Sequence, residues 1–95
     1  MTHSAEIPTL IFYARDGCHL CDEARADLQA VLEERVKRGE PIARVRVINV
    51  DTQPALRERY NDVIPVMALP GKELPLAMGR RTINRFLDTA LGRLA

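Results

Sequence analysis

A mixed α/β fold is what this chain predicts: four strands and three helices in the order βαβαββα, with the helices on the faces of one sheet. Three observations carry that prediction. The run Thr9-Leu10-Ile11-Phe12-Tyr13-Ala14 is continuously apolar, as in a central strand covered on both faces. About 20 residues separate it from a second strand pattern at Arg44–Val50, room for a right-handed parallel crossover through a helix. Finally, two apolar runs flank Pro70-Gly71-Lys72-Glu73, the composition of a hairpin turn.

Each element has its own signals. Residues 1–8 read as a loosely ordered lead to one domain spanning 1–95. Asp16-Gly17 breaks the first strand. From Cys21, Ala24, Leu28, Val31, Leu32 and Val36 recur at helical spacing. Acidic Asp22, Glu23 and Asp27 fall in the early turns of that helix, and Arg35, Lys37 and Arg38 in its last, matching the helix dipole. Gly39 and Pro41 stop it. Arg44-Val45-Arg46-Val47 alternates, as expected of a strand at or near a sheet edge. A short helix follows, with Asp51 or Thr52 as its cap and Pro54 in its first turn. Its inward residues are Ala55, Leu56 and Tyr60, and Asn61-Asp62, residues that tolerate left-handed geometry, end it. Val63–Leu69 is the third strand and Leu74–Met78 the fourth, placed at an edge because Pro75 lacks a donor. Ile83, Phe86, Leu87, Ala90, Leu91 and Leu94 form the stripe of the last helix.

The composition narrows function. The apolar fraction is 46%, the charged fraction 28% and the net charge +1, so the chain reads as an ordinary globular domain. No Lys/Arg stripe interleaved with aromatics points to nucleic acid. No segment reads as a signal peptide, and no run reaches the roughly 18 apolar residues of a membrane span. Two cysteines are too few for a secreted disulfide scaffold; in a cytoplasmic chain such a pair is reactive or metal-binding.

Both cysteines lie in Arg15-Asp16-Gly17-Cys18-His19-Leu20-Cys21, where a strand hands over to a helix. The thiolate is the species that attacks a disulfide, so one thiol must be acidified from about 8.5. Cys18 meets the unpaired N–H groups and positive dipole end of the helix, and Arg15 adds a cation. One to two pKa units correspond to roughly 1.4–2.7 kcal/mol of thiolate stabilisation. Asp16, Asp22 and Glu23 oppose the shift, but the N–H groups make direct contact. Cys21, one turn further in, is within disulfide reach and less exposed, which suits a resolving thiol. His19 either tunes Cys18 when protonated or is an exposed turn residue. Two plainer readings compete: a zinc half-site, for which only His3 and His19 remain as histidine ligands, and a pair of inert structural cysteines. Arg57 and Arg59 read as the solvated face of a short helix.

Together, the strand leading into Gly17-Cys18-His19-Leu20-Cys21, the Ile64-Pro65 step and Gly79 before the last helix resemble the glutaredoxin and thioredoxin superfamily, most closely its small glutaredoxin-like members. The resemblance runs from about Thr9 to Leu91 and implies a thioredoxin-like fold in its minimal glutaredoxin form, with Cys18 at the end of a central strand. It further implies a cis Pro65 facing the cysteines, substrate pairing along the Ile64 backbone, Cys18 as nucleophile and Cys21 as resolving thiol. Arg15 falls where glutaredoxins carry a basic residue that meets the glycyl carboxylate of glutathione. Three features depart from the pattern. His19-Leu20 replace the usual Pro-Tyr, and Phe12 stands where thioredoxins bury an aspartate. Gly79-Arg80-Arg81-Thr82 replaces the acidic stretch that receives the glutathione amino group, leaving a backbone anion site around Gly79 and Arg80.

The expectation is therefore a cytoplasmic, monomeric thiol–disulfide oxidoreductase acting on protein or mixed disulfides. It requires no metal or organic cofactor, and glutathione is a possible co-substrate. Two alternatives stand beside it: a [2Fe–2S] cluster bridged between protomers with glutathione as co-ligand, and a redox-inactive adaptor of the same fold.

Overall fold

The computed structural model describes residues 7–92. Most of the expected lead over 1–8, and Leu94 of the last apolar stripe, lie outside the described residues. Strand β1 (Thr9–Ala14) is followed by helix α1 (His19–Arg38) and strand β2 (Arg44–Asn49). A 3-10 turn (Val50–Thr52) leads to helix α2 (Pro54–Tyr60), then strands β3 (Val66–Leu69) and β4 (Lys72–Leu74) and helix α3 (Arg80–Leu91). The sheet order is β2-β1-β3-β4, with β1 parallel to β2 and antiparallel to β3, and β4 antiparallel to β3. The predicted element order holds, β1 is central, and β2 and β4 are the edges.

Period-two alternation divides the apolar residues of β1 between two cores. Leu10, Phe12 and Ala14 pack with Cys21, Ala24, Leu28 and Val31 of α1 and Ile83 and Leu87 of α3. Tyr13 turns to the other face, where Val50, Tyr60 and Val66 are buried and Leu56 packs against them. Helices α1 and α3 therefore cover one face and the short α2 part of the other. On this second face Tyr13 and Tyr60 stack with ring centroids 4.3 Å apart. The Tyr60 hydroxyl donates to Glu73 Oε2 at 2.6 Å, tying α2 to β4.

Several local expectations give way to tertiary context. Asp51 and Thr52 do not cap α2. They belong to the 3-10 turn, and α2 starts with Pro54 after Gln53, without a side-chain cap. Ala55 is exposed, because a two-turn helix buries only the side it lays on the sheet, here Leu56 and Tyr60. Asn61 stays right-handed at φ −49°. The fourth strand is Lys72–Leu74 rather than Leu74–Met78, because Pro70-Gly71 alone makes the turn and Leu69 pairs directly with Lys72. Gly71, at φ 76°, supplies the left-handed position that this two-residue connection needs. Val36 is off the core, 59% exposed, and lines an open groove between α1 and β2.

Helix α1 ends at Gly39, whose φ of 72° lets its N–H return to the Arg35 and Val36 carbonyls. Arg35 does more than complement the dipole. Its side chain is fully buried. Nε donates to the Pro41 carbonyl (2.7 Å), Nη1 to Asn84 Oδ1 (3.0 Å) and Asp88 Oδ1 (2.7 Å), and Nη2 to the Gly92 carbonyl (2.6 Å). One guanidinium thus fastens the end of α1 to the loop after it and to the end of α3.

Candidate functional site

Strand β1 runs out at Ala14, and Arg15-Asp16-Gly17 turns the chain back into α1. The Cys18 N–H closes that turn on the Arg15 carbonyl at 3.3 Å. Cys18 is the N-cap of α1, with extended backbone (φ −89°, ψ 104°), and its Sγ accepts the Cys21 N–H at 3.1 Å. The sulfur occupies the place that Ser or Asp takes at most helix starts, and it answers one of the four N–H groups the helix leaves unpaired. Cys18 and Cys21 are joined as a disulfide, their Cα atoms 5.2 Å apart. Cys21 is only 3% exposed, whereas Cys18 is half-buried. The reading of Cys18 as outer and Cys21 as inner sulfur follows from this one-turn offset.

The loop between α2 and β3 carries Ile64 and Pro65. The Ile64–Pro65 bond is cis, as the resemblance implies, and Pro65 is buried. The chain beyond β4 secures this loop: Leu76 N–H donates to the Val63 carbonyl (2.9 Å) and Ala77 N–H to the Pro65 carbonyl (2.8 Å). Ile64, Cys18 and Met78 are all half-buried and pack against the larger core. The Ile64 N–H donates to the Tyr60 carbonyl at 3.2 Å, so one of its two backbone groups already has a partner. Leu76 is 55% exposed and holds a left-handed φ of 50°, unusual for a residue with a branched side chain.

The charged residues are distributed differently from the sequence expectation. Arg15 turns its guanidinium to Asp51 (Nε–Oδ2 2.9 Å, Nη2–Oδ1 3.1 Å) and to Asn61 Oδ1 (2.6 Å). Arg57 adds a second cation at 3.3 Å from Asp51 Oδ1. The Arg15 hydrogen bonds, reinforced by the charges of Arg15 and Arg57, hold the Asp51 carboxyl below its usual range. Asp51 and Asn61 are thus site-end residues that the chain reading assigned to a cap and a helix stop. A signal for Asp51 existed: the parallel register pairs Ala14 with Asn49, which brings the residues following both strands to one end of the sheet. His19 is largely exposed and pairs with Glu23 at 2.9 Å. Gly79 is the N-cap of α3 without a side-chain cap, and exposed Arg80 reaches Asp27 at 3.5 Å. Arg59 pairs with Glu73 at 3.5 Å.

Beside Cys21, a cleft of about 170 Å³ is lined by Arg15, Asp16, Asp22, Arg25 and Asn49 among others. Among the described residues no three His, Cys, Asp or Glu side chains gather as a metal ligand set. No helix among them is long and apolar enough to cross a membrane. What the arrangement presents chemically is a disulfide at a helix start, with a half-buried outer sulfur and a buried inner one.

The Glutaredoxin-like domain (DUF836) matches residues 9–90. Among solved structures, protein XcR50 from X. campestris is 30% identical with a TM-score of 0.70, over 85% of this chain and 97% of that one. Protein Ne2328 from Nitrosomonas europaea is 30% identical with a TM-score of 0.63, over 90% and 98% of the two chains. A malarial protein at 11% identity and a TM-score of 0.60, over 90% and 99%, shares the fold. A search of curated proteins finds no match.

Proposed function

Because this chain belongs to the glutaredoxin-like (DUF836) family, we propose that it is a thiol–disulfide oxidoreductase that reduces protein or mixed disulfides through Cys18 and Cys21. The observation that carries this reading is the position of the Cys18 sulfur. It caps α1, accepts the Cys21 N–H and lies over a buried partner thiol one turn away. An N–H donor and a helix dipole aimed at sulfur favour the thiolate.

In the reducing direction the Cys18 thiolate attacks one sulfur of the substrate disulfide. A mixed disulfide forms and the other substrate sulfur leaves as a thiolate, which takes a proton from solvent. The Cys21 thiol then loses its proton and attacks Cys18 Sγ, and the second substrate sulfur departs. Two electrons pass to the substrate, and Cys18–Cys21 is left as the disulfide. Two equivalents of an external thiol, with glutathione as the candidate co-substrate, return the pair to the dithiol: the first forms a mixed disulfide with Cys18, and the second releases the Cys18 thiol and leaves as the oxidised disulfide.

In this reading Ile64 and Pro65 form the wall along which the substrate lies, with Gly79 and Arg80 bordering it. Arg15 acts as a positioning residue through its grip on Asp51 and Asn61, and His19 modulates charge at the outer face. The enzyme works as a monomer, requires no cofactor, and suits a reducing compartment such as the cytoplasm.

The test is the redox equilibrium of the pair against glutathione, followed as free thiol. Reversible dithiol formation is expected, at a potential comparable with about −200 to −230 mV for glutaredoxins or about −270 mV for thioredoxin. Cys18→Ser abolishes turnover, and Cys21→Ser accumulates the mixed disulfide on Cys18. A pair that neither cycles nor titrates below the ordinary thiol value of about 8.5 at Cys18 would sink the proposal.

A further inference from the structure

Edge strand β2 and the adjoining face of α1 enclose a groove of about 310 Å³, lined by Leu28, Leu32, Val36, Val45 and Val47 with Arg25, Gln29 and Glu33 at its rim. It lies to the side of the cysteine pair and takes no part in the exchange chemistry. Its apolar residues are unusually open: Val36 is 59% exposed, Val45 39% and Val47 42%. Single exposed valines are ordinary, but three around one groove beside the free edge of a strand form a contiguous patch.

The backbone of β2 is equally available. Arg44 N–H donates inward to the Pro8 carbonyl at 2.8 Å. Amide direction alternates along a strand, so Val45 and Val47 turn their N–H and C=O groups to the free side. The side chains alternate too. Val45 and Val47 lie on the α1 face, in register with Leu10 and Phe12, and Arg44 and Arg46 lie on the opposite face, in register with Thr9 and Ile11. Both arginines are exposed, and neither forms an ion pair among the described residues.

We propose that β2 is a docking edge for an extended segment of another protein in which apolar and acidic residues alternate. The apolar side chains of that strand would fill the α1–β2 groove, and its carboxylates would meet Arg44 and Arg46 on the other face. Main-chain bonds to Val45 and Val47 supply affinity and the two alternating faces supply specificity. Charge selects this occupant over a second copy of the chain. The antiparallel register that pairs Val45 with Val47 of a second copy sets Arg46 directly opposite Arg46 of that copy, and like charges facing each other across strands repel.

The test uses the full chain, ¹⁵N-labelled, titrated with a blocked peptide of alternating valine and glutamate and with its valine–lysine counterpart. The expected result is saturable shifts at the Val45 and Val47 amides and at Leu32 and Val36. The glutamate peptide should bind at least tenfold more tightly than the lysine peptide, more so at low salt, and Arg44→Glu with Arg46→Glu should reverse that order. These substitutions sit on an exposed edge, and the potential of the cysteine pair serves as the control that they leave the fold intact. Absence of saturable shifts, equal affinity for the two peptides, or an unreversed preference overturns the proposal. So does sedimentation as a dimer through β2, which gives the edge to a second copy, or contact between residues 1–6 and Val45 or Val47, which gives it to the chain's own lead.

Discussion

Arg15 and Arg35 sit at opposite ends of the sheet and use the same side chain in opposite ways. Arg35, at the far end from the cysteines, is fully buried and spends its donors on two backbone carbonyls, Asn84 and Asp88. Arg15, next to the cysteines, is about 29% exposed at its side chain and is held by one carboxylate and one amide at the surface. Guanidinium groups suit both tasks because the planar fork binds several acceptors at once. The difference is desolvation. At Arg35 the guanidinium itself is out of reach of water, so its charge depends on these protein acceptors. At Arg15 solvent can replace any partner, so the network can rearrange around a substrate.

Substitutions at the two ends break this contrast in graded steps. Arg35→Ala takes a buried charge away from Asp88, Asn84 and the Pro41 and Gly92 carbonyls and should cost about 3–5 kcal/mol, read as a fall in the urea midpoint. The activity per folded molecule should stay unchanged. An intact midpoint would show that water fills the site and that Arg35 is no more structural than Arg15. Tyr60→Phe is intermediate, costing about 1–2 kcal/mol through the lost bond to Glu73. Burial first, and the Glu73 hydrogen bond second, raise the Tyr60 hydroxyl above its usual range. The folded state therefore holds the phenol proton more tightly than the unfolded state. That stabilisation is complete below about pH 10 and declines as pH rises beyond it. The phenylalanine variant should lose that alkaline sensitivity in unfolding curves measured between neutral and strongly basic pH.

At the cysteine end the effects on stability are smaller and those on activity larger. Arg15→Gln should move stability by less than about 1 kcal/mol, as for other surface ion pairs. It should lower kcat/KM toward a disulfide substrate by roughly tenfold, about 1.4 kcal/mol of transition-state binding. Equal activity in the two proteins would make Arg15 purely a surface tie. The smallest effect belongs to Asp51→Asn. The depressed Asp51 carboxyl contributes stability that is present above the unfolded value of 3.8 and lost as pH falls through the lowered folded value. The asparagine variant should lower the neutral midpoint slightly, match the parent at low pH, and so flatten the acid limb of stability against pH.

The same contrast marks what sequence reasoning could reach. Element order, the central β1, the two edges and the Gly39 stop were legible because hydrophobic period and turn residues act locally. The depth difference between Cys18 and Cys21 followed from a one-turn offset on a helix. The arginine roles were not legible, since Asn84, Asp88 and Gly92, which bind Arg35, lie about fifty residues away and the partners of Arg15 lie thirty-six and forty-six residues away. A charge at the end of a helix or strand carries no local sign of which distant carboxylate will meet it. The cis state of Pro65 came from family resemblance alone; the local sequence is compatible with either isomer.

One contact described at the site has an experimental use of its own. The Cys21 amide points at the Cys18 sulfur from 3.1 Å. Its electron density responds to whether that sulfur is a thiolate, a neutral thiol or half of a mixed disulfide. The backbone thus carries a built-in indicator of the chemistry one turn away. The nitrogen and proton resonances of this single amide can report each stage of the proposed exchange with no dye or quench.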